Sequence, residues 1–437
     1  MTAEARDLRR IAVSSLVGTT VEYYDFMLYA TMTALVFDRL FFPGSDHSTA
    51  AVAAFGGMAA GYVARPLGGI LFGHIGDRLG RKRTLITTMS LMGVASFLIG
   101  CLPTYEMIGR AAPVLLVALR IAQGIAVGGE WGGAILMVAE HATASSRGRW
   151  NGIVQMGSAL GSLLSTIVVT ALSRLQHTDF MSWGWRVPFL LSAVLLMVGL
   201  YVRVGVSESP VFTAALQGAR PGKGIPLTTV LRRPGPVLLA CAAGIGAFSL
   251  SALFSTYMIS YTRNIGYPIS VILTSKLWGV IALMIAIPAF SALSDRWGRR
   301  TVMMGGAVAI VVFAYPLYAL VDSMSTPRLI LAVVAGQVIE GAMLGPLGAM
   351  LSEMFDTTVR YTGVSLGYQL AALLGAGFTP LLASSLQVAG PRSGPLAMIA
   401  VASGLVTIVA LLIIGETAGR SLWAGAAPAD LEGQPRR

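Results

Sequence analysis

The chain has 437 residues, of which 55% are hydrophobic and only 12% are charged, and its mean hydropathy is +0.73. Soluble proteins are about a quarter charged, so this composition excludes an ordinary soluble protein and indicates one that crosses the lipid bilayer many times. The formal net charge is +11, but the basic residues form short clusters between apolar segments. That placement is typical of signals that orient a membrane protein, so we expect no nucleic-acid partner.

Twelve apolar segments are long enough for a spanning helix, which needs about 20 residues. The first follows a basic start, as in a signal peptide, but it is too long and has no small-residue cleavage site, so we interpret it as a retained helix. The sequence therefore predicts an all-α integral membrane protein. In chain order the predicted spans are 11–36, 49–75, 84–102, 113–140, 150–173, 186–206, 237–261, 271–293, 301–321, 328–351, 362–387 and 395–415.

The basic residues are distributed unevenly among the segments that connect these spans. If the N-terminus is cytoplasmic, the cytoplasmic segments hold about three times as many lysine and arginine residues as the external ones. This bias predicts twelve transmembrane helices with both termini in the cytoplasm. We expect an N-terminal six-helix bundle, a cytoplasmic linker, a C-terminal six-helix bundle and a disordered cytoplasmic tail. Their predicted ranges are 1–202, 203–236, 237–415 and 416–437.

A short basic turn occurs once in each half of the chain. The stretch 73–83 contains the core Asp-Arg-x-Gly-Arg, and this core recurs in the stretch 294–300. A glutamate followed seven residues later by an arginine also occurs in each half, at Glu140 and at Glu353. Two motif pairs in the same order indicate that the chain consists of two copies of one unit.

We expect the two repeated motifs to form a cytoplasmic gate between the halves. Asp77 and Asp295 can accept hydrogen bonds from helix N-termini or from arginines across the seam. Each glutamate can latch adjacent helices by pairing with the arginine that follows it. These bonds would stabilise the outward-open state and break when the protein opens inward. The predicted gating residues are Gly73, Asp77, Arg78, Gly80, Arg81, Glu140, Arg147, Asp295, Arg296, Glu353 and Arg360.

Ionisable residues inside apolar segments indicate a path for protons and substrate. At membrane depth a charge costs several kcal/mol unless it is paired or hydrated, so each one is a functional hypothesis. In the first span, Gly18, Glu22, Asp25 and Tyr29 have helical spacing and share one face, which we expect to line a central cavity. We expect Asp25 to carry the proton and Arg120, in the fourth span, to be its partner. Protonation of Asp25 would release Arg120, which could then bind a substrate carboxylate.

Other buried charges leave the identity of the proton site open. Arg65 and Glu130 are a candidate charge pair between the second and fourth spans, and such a pair could be purely structural. Glu22 and Glu130 are alternatives to Asp25 as proton carriers. Glu340 is a further alternative, because it lies in the tenth span with no evident cation. Besides Arg120, the candidate substrate-binding residues are polar groups in presumed cavity helices: Tyr24, Tyr29, Gln155, Tyr257 and Gln369.

The sequence offers no support for chemistry other than transport. The two cysteines and four histidines are scattered without ligand spacing, so we expect no metal and no cofactor. No nucleophile–base constellation and no phosphate loop of the form Gly-x-x-x-x-Gly-Lys-Ser/Thr is evident. We therefore expect neither an enzyme nor an ATP-driven pump.

The repeated turn resembles the signature of the major facilitator superfamily, Gly-x-x-x-Asp-Arg-x-Gly-Arg-Arg/Lys after helix 2, with a weaker copy after helix 8. More narrowly, the chain resembles the metabolite:proton symporter family. The sequence around 24–42 is most similar to the shikimate permease branch, whereas Gln369 stands where the family commonly has asparagine. The stretches that carry the narrower resemblance are Val21–Phe26, Arg65–Gly69, Gly128–Gly133, Trp183–Phe189 and Glu208–Pro210.

The resemblance implies two six-helix bundles and proton-driven import of a small organic acid by alternating access. It also implies a protein of the inner (plasma) membrane that functions as a monomer, with the acid, protons and the bilayer as its partners. Relatives carry dicarboxylates, tricarboxylates, aromatic acids or zwitterionic osmolytes, so shikimate is one of several candidates. Two alternatives stay open: a passive facilitator whose uptake is indifferent to the proton gradient, and a proton-coupled importer of proline or betaine.

Overall fold

The structure, a computed structural model, describes residues 3–42, 47–172, 175–205, 208, 232, 234–357, 359–386 and 393–422. Within these ranges the chain is helical and has no strand, so the all-α prediction is confirmed there. The long helices are α1 (Ala3–Met32), α2 (His47–Leu79), α3 (Arg81–Cys101), α4 (Ala111–His141), α5 (Arg147–Leu172), α6 (Val187–Val204), α7 (Gly235–Ser251), α8 (Ile269–Trp297), α9 (Arg299–Asp322), α10 (Thr326–Met354), α11 (Arg360–Ala372) and α12 (Ser393–Ile414).

Ten helical stretches in the described ranges combine the length and the apolarity needed to cross a membrane. They contain α3 to α12, and the stretches that begin with α7 and α11 continue to residues 264 and 386. Helices α1 and α2, with 30 and 33 residues, are long enough to span but less apolar, because they carry Glu22, Asp25 and Arg65. The described ranges therefore contain ten helical stretches of clear membrane character and two more helices of spanning length.

Three long helices continue into π-helical turns. Thr33–Phe37 follows α1, Ala252–Tyr257 follows α7, and Leu373–Gly377 follows α11. Because α1 and α7 are the first helices of their halves, the repeated unit has this irregular turn in a matching place. Such turns widen a helix locally and are frequent at functional sites. Shorter helical segments are Asp38–Phe41, Tyr105–Ile108, His177–Ser182, Gly184–Arg186, Met258–Asn264 and Thr379–Leu386.

The turn between α2 and α3 is a single residue, Gly80, and the turn between α8 and α9 is a single residue, Gly298. Their φ angles are 106° and 93°, a region that glycine adopts at little cost because it has no Cβ. Each glycine lets one long helix follow another without a connecting loop. The acidic and basic residues on either side of the turn are thereby held close together.

The two halves meet along two helix pairs, α2 with α11 and α5 with α8. Glycines allow the close approach, since Gly76 faces the ring of Tyr361 and Gly152 faces the side chain of Ser291. A Cβ at either glycine would overlap the facing side chain. The duplication relates the two pairs, because α2 corresponds to α8 and α5 corresponds to α11. This packing brings the repeated motifs of both halves to one end of the molecule, which we call the motif end.

Candidate functional site

Asp77 lies near the end of α2 and caps the first turn of α11 in the other half. Its Oδ1 accepts the backbone N–H of Tyr361 at 3.2 Å. Its Oδ2 accepts the backbone N–H and the hydroxyl of Thr362 at 3.1 and 2.8 Å. The first N–H groups of a helix have no partner within the helix and carry partial positive charge, so a carboxylate stabilises them. The N-terminal half therefore binds a helix end of the C-terminal half.

Asp295 makes the corresponding contact in the opposite direction. It lies near the end of α8, and its two oxygens accept the backbone N–H groups of Gly148 and Arg149, both at 2.8 Å, in the first turn of α5. Gly73 lies directly against Thr362 on the other side of the seam, where a Cβ would crowd the backbone. The two halves thus hold each other through a reciprocal pair of helix caps.

The glutamates at the motif end pair across the seam. Arg147 binds Glu353 at 2.7 Å, and Arg360 binds Glu140 at 3.2 Å. The predicted pairing of each glutamate with the arginine that follows it, Glu140 with Arg147 and Glu353 with Arg360, is therefore wrong. Each arginine begins a helix whose N-terminus is capped by the other half, so its side chain reaches the acid of that half.

Arg81 and Arg299 connect the two motifs within each half. Arg81 lies 3.5 Å from both Asp77 and Glu140. Arg299 lies 2.6 Å from Asp295 and 3.4 Å from Glu353. Both side chains are fully buried.

The sequence prediction missed Arg299 and named Arg78 and Arg296, which are exposed and make no contact with these acids in the described structure. Alignment of the two motif copies would have identified Arg299, because it stands opposite Arg81. The seam network is then Asp77, Arg81, Glu140, Arg147, Asp295, Arg299, Glu353 and Arg360.

A second pair of acids caps the helices that begin with Arg81 and Arg299. Glu208 accepts the first two backbone N–H groups of α3 at 3.0 and 3.2 Å. Glu416 accepts the first two backbone N–H groups of α9 at 2.9 and 3.2 Å. These acids follow the sixth and twelfth helices, so they are a third feature that the duplication repeats. Sequence reasoning did not assign them, because they lie in the predicted linker and tail.

Residues 416–422 pack against the seam network, so the prediction of a disordered tail is wrong for these residues. The composition rich in alanine, glycine and proline indicated disorder, but two of these contacts use backbone carbonyl groups, which do not depend on composition. Residues 423–437 and most of the predicted linker 203–236 lie outside the described residues. The contacts join Thr417 to Glu353 (2.8 Å), Arg147 to the carbonyl oxygen of Arg420 (3.2 Å) and Arg360 to the carbonyl oxygen of Leu422 (3.1 Å).

Asp25 in α1 lies at one end of a buried hydrogen-bond chain that leads to Arg120. Ser96 and Ser192 donate to its two carboxylate oxygens at 2.7 and 2.5 Å. Gln123 donates to the hydroxyl of Ser96 at 2.6 Å, and Arg120 donates to the amide oxygen of Gln123 at 3.2 Å. Asp25 and Arg120 are therefore linked by three hydrogen bonds rather than by the predicted direct contact. Sequence reasoning missed the intermediate residues because serine and glutamine carry no charge to mark them.

Aromatic rings hold Arg120 and Arg65 in place. The guanidinium carbon of Arg120 lies 4.2 Å from the ring centre of Tyr29 and 4.9 Å from that of Phe26. The guanidinium carbon of Arg65 lies 4.3 Å from the ring centre of Phe26 and 4.5 Å from that of Tyr62. A cation over an aromatic face is stabilised electrostatically, and its N–H groups at the edge remain available. Both arginines are buried among these aromatic side chains.

Glu130 in α4 pairs with Arg203 at the end of α6. Arg203 donates to Glu130 at 2.6 Å and to a backbone carbonyl of α3 at 3.0 Å, while Thr88 donates to Glu130 at 3.2 Å. The predicted pair of Arg65 with Glu130 is therefore wrong. Arg203 was assigned to the linker, but its buried side chain occupies the space beside Gly18, where a Cβ would overlap it. The absence of a side chain at Gly18 makes room for this ion pair.

Two other candidate proton sites are buried acids without an ion pair in the described structure. Glu22 is 3% exposed, and its Oε2 has no hydrogen-bond partner there. Glu340 in α10 is 1% exposed and accepts a hydrogen bond from Gln337 at 2.9 Å. Gln337 also donates to Ser255 in the π turn after α7, at 3.1 Å. These acids differ from Glu130, whose charge Arg203 balances.

The three tyrosines predicted to bind substrate lie in different surroundings. Tyr24 is buried and donates to the carbonyl oxygen of Pro188 at 2.9 Å, so its hydroxyl already joins α1 to α6. The substrate-binding role of Tyr24 stays a prediction. Tyr29 provides an aromatic face for Arg120. Tyr257 is half-buried in the π turn after α7.

Gln155 and Gln369 lie in the seam between the halves. Gln155 accepts a hydrogen bond from Trp131 at 2.5 Å and donates to a backbone carbonyl of α10 at 3.4 Å. Gln369 donates to two backbone carbonyls of α4 at 3.3 and 3.4 Å, and its Oε1 is buried without a partner in the described structure. Trp131 stacks on Tyr368 of α11, with ring centres 3.3 Å apart. Sequence reasoning missed this stack, because an aromatic residue in an apolar span is not a distinctive signal.

Known proteins are similar to the chain over almost its whole length. A family model described as "Sugar (and other) transporter" matches residues 11–223 and again residues 220–424. The "Inner membrane metabolite transport protein YhjE" of Escherichia coli (strain K12) is 37% identical over 421 residues, which cover 94% of this chain and 95% of that protein. The "Shikimate transporter" of the same strain is 39% identical over 383 residues, or 86% and 87% of the two chains. The "Proline/betaine transporter" of the same strain is 32% identical over 440 residues, which cover 97% of this chain and 86% of that protein.

Solved structures share the fold. The major facilitator superfamily proton:xylose symporter XylE, bound to 6-bromo-6-deoxy-D-glucose, superposes with a TM-score of 0.78 and is 17% identical, covering 97% of this chain and 99% of that chain. The inward open conformation of XylE from E. coli superposes with a TM-score of 0.65, covering 95% and 98%. At this identity the likeness concerns the arrangement of the helices.

Proposed function

The chain belongs to the sugar (and other) transporter family of the major facilitator superfamily, and we propose that it imports a small organic acid together with protons by alternating access. It is a multi-pass transporter of the inner (plasma) membrane and not an enzyme. The observation that carries the proposal is the hydrogen-bond chain from the buried carboxylate of Asp25 to the guanidinium of Arg120. A proton-binding group and an anion-binding group are thereby joined inside one bundle. A relative named as a shikimate transporter supports an organic acid as the substrate.

The proposed topology has twelve spans and cytoplasmic termini. Helices α1 and α2 complete the N-terminal bundle, because α1 packs along α5 and α2 packs along α4, both of which have clear membrane character. Basic residues concentrate at the motif end, which is expected of cytoplasmic segments. We propose that the protein acts as a monomer of two six-helix bundles. The motif end is then the cytoplasmic end.

Protonation of Asp25 provides the coupling step in this proposal. Along the chain, Arg120 donates to Gln123, Gln123 donates to Ser96, and Ser96 donates to Asp25. A charged carboxylate accepts hydrogen bonds, whereas a protonated one also donates, so a proton on Asp25 disturbs the chain. Arg120 is then released from Gln123 and can bind a substrate carboxylate through two parallel N–H groups. Proton and anion thus enter the cavity together.

The seam network serves as the cytoplasmic gate in this proposal. Its ion pairs and helix caps join the two halves at the motif end, so this conformation is closed toward the cytoplasm. Opening inward requires the separation of both reciprocal caps and of both crossed pairs. Binding of proton and substrate supplies the free energy for this change only if the inward-open state binds them better.

A proton-coupled importer of a zwitterionic osmolyte is the second candidate. The relative named as a proline/betaine transporter covers 97% of this chain. Glu22 lies on the same helix as Asp25, and its Oε2, which has no hydrogen-bond partner among the described residues, could face the cationic group of such a substrate. Competition by betaine, and not by carboxylic acids that lack a cationic group, would support this candidate and contradict the first.

The proposal predicts that Asp25→Asn abolishes gradient-driven accumulation but leaves substrate exchange intact. Asparagine keeps the size of the side chain and cannot take up the proton. The measurement is uptake into proteoliposomes under an imposed pH gradient, followed by counterflow without a gradient. The substrate is chosen first, from a panel of organic acids that includes shikimate.

Asp179→Asn, at an exposed position, is the matched control and should accumulate substrate like the wild type. Undiminished accumulation by Asp25→Asn would remove Asp25 from the coupling mechanism. Wild-type uptake that does not respond to the gradient would identify a passive facilitator.

A further inference from the structure

We infer that Arg65 is a second anion-binding residue beside Arg120, and that the substrate carries two acidic groups. This inference rests on the proposed import of organic acids and makes the substrate class more specific. It assigns to Arg65 a role in recognition instead of a structural pair with Glu130. The argument follows from how the two arginines are held, from the partners they lack, and from their separation.

The two arginines share one aromatic neighbour. Phe26 contacts both, since its ring centre lies 4.3 Å from the guanidinium carbon of Arg65 and 4.9 Å from that of Arg120. Tyr62, whose ring is nearly perpendicular to that of Phe26, also contacts Arg65 at 4.5 Å, and Tyr29 contacts Arg120 at 4.2 Å. The rings fix the orientation of both guanidinium groups without consuming the N–H donors at their edges. These donors have the planar geometry that binds carboxylates.

Neither arginine has an acidic partner within ion-pair distance in the part of the chain that the structure describes. Arg120 donates one hydrogen bond, to the neutral amide of Gln123, and its buried Nε has no partner there. The nearby acids are engaged elsewhere or stand apart: Asp25 accepts from two serines, and Glu22 affects Arg65 only at longer range. Two buried positive charges without a direct ion pair in the described structure are unfavourable at membrane depth, so a bound anion would stabilise them.

The separation of the arginines suits a short dianion. Because both lie over the same ring, their guanidinium carbons are about 9 Å apart at most. A four- or five-carbon dicarboxylate is short enough for each carboxylate to reach one guanidinium. Gly61 makes room for this arrangement, since a Cβ there would press on the Arg120 side chain. On the other side of the seam, Gly377 in the π turn after α11 lies against Tyr62.

The test compares succinate and glutarate with their monoamides, succinamate and glutaramate, on the purified full-length protein. Each monoamide has the shape of its diacid but only one charge. Binding of each of these four acids is measured by ligand-induced thermal shift over a range of concentrations. We expect a diacid to bind roughly 10- to 100-fold more tightly than its monoamide, because the second carboxylate forms hydrogen bonds to a charged guanidinium group. Arg65→Gln should remove this difference by weakening the diacid alone.

The unchanged affinity for the monoamide shows that the Arg65→Gln protein is folded, so a loss for the diacid reports on recognition. Arg328→Gln, an exposed arginine at the start of α10, is the matched control and should change neither affinity. Arg120→Gln should weaken both ligands. A wild-type protein that binds diacid and monoamide equally, or that binds no diacid, would overturn the inference. Equal weakening of both ligands by Arg65→Gln would overturn it as well. None of these results alters the test of proton coupling by Asp25→Asn, which decides the proposed function separately.

Discussion

At the scale of single residues, three kinds of partner stabilise the buried arginines. A carboxylate balances Arg203, aromatic faces hold Arg65 and Arg120, and oxygen atoms from both halves surround Arg147 and Arg360. The first kind has both charges in fixed contact and suits a structural role. The second leaves the hydrogen-bonding edge free and suits a ligand. The third joins two moving bodies and suits a gate.

The structural role predicts that Glu130→Gln destabilises the protein. Removal of one partner leaves the other charge buried and uncompensated, which costs about 3–5 kcal/mol. We expect a clear drop in the thermal unfolding midpoint of the purified protein. The double variant Glu130→Gln, Arg203→Met should recover most of the loss, because both charges are then absent. A single variant as stable as wild type, yet unable to accumulate substrate, would instead make Glu130 a proton site.

At the scale of elements, the segment Glu416–Leu422 connects the last helix to the seam network. Glu416 caps α9, Thr417 contacts an acid of the network, and the carbonyl groups of Arg420 and Leu422 accept from Arg147 and Arg360. Among these contacts, the hydrogen bond from Arg147 to the carbonyl oxygen of Arg420 joins the two halves, so opening of the motif end would break it. We therefore expect the segment to stabilise the proposed gate in its closed state.

A chain that ends at residue 415 should open at the motif end more readily than one that ends at residue 422. Hydrogen bonds to charged groups contribute about 1.5–3 kcal/mol each, so the shift should be at least about tenfold. Opening is measured as the rate of maleimide labelling of Ser365→Cys, a buried position that lies between Gly69 and Gly132 in the seam.

The labelling requires replacement of the native Cys101 and Cys241. The chain that ends at residue 422 is the matched control, because it retains every contact of the segment. Equal labelling rates for the two truncations would show that the segment does not stabilise the gate.

At the scale of the whole molecule, the duplication makes the proposed gate reciprocal. Each half provides an aspartate that caps a helix of the other and a glutamate that binds an arginine of the other. The consequence is that neither half can release the other by breaking a single contact. Both caps have to open together, which favours a change between two discrete states.

Reciprocity predicts that Asp77→Asn and Asp295→Asn each raise the rate of labelling at Ser365→Cys. Asparagine keeps one acceptor oxygen but loses the charge that stabilises a helix N-terminus and a buried arginine, so we expect an increase of about tenfold in each variant. Asp356→Asn, at an exposed position near the start of α11, is the control and should have no effect. An effect confined to one aspartate would contradict a reciprocal gate.

Local patterns in the sequence were sufficient for features that depend on a short stretch of chain. Apolar length predicted the helices, and the repeated turn predicted that Asp77 and Asp295 would accept from helix N-termini, because a carboxylate stabilises the free N–H groups there. The buried acids of α1 were recognisable from hydropathy alone. The class of transporter followed from the same motifs.

Only the tertiary structure decided which charged groups meet. Glu140 binds the arginine of the other half, Glu130 binds Arg203 instead of Arg65, and uncharged side chains separate Asp25 from Arg120. In each case several partners have the right chemistry, and the distances between helices select one of them. Sequence by itself determined the composition of the spans and the duplicated unit, because hydrophobicity and covalent spacing are properties of the chain. The pairing inside the protein was decided by packing, because a charge interacts through space with whatever the fold brings near it.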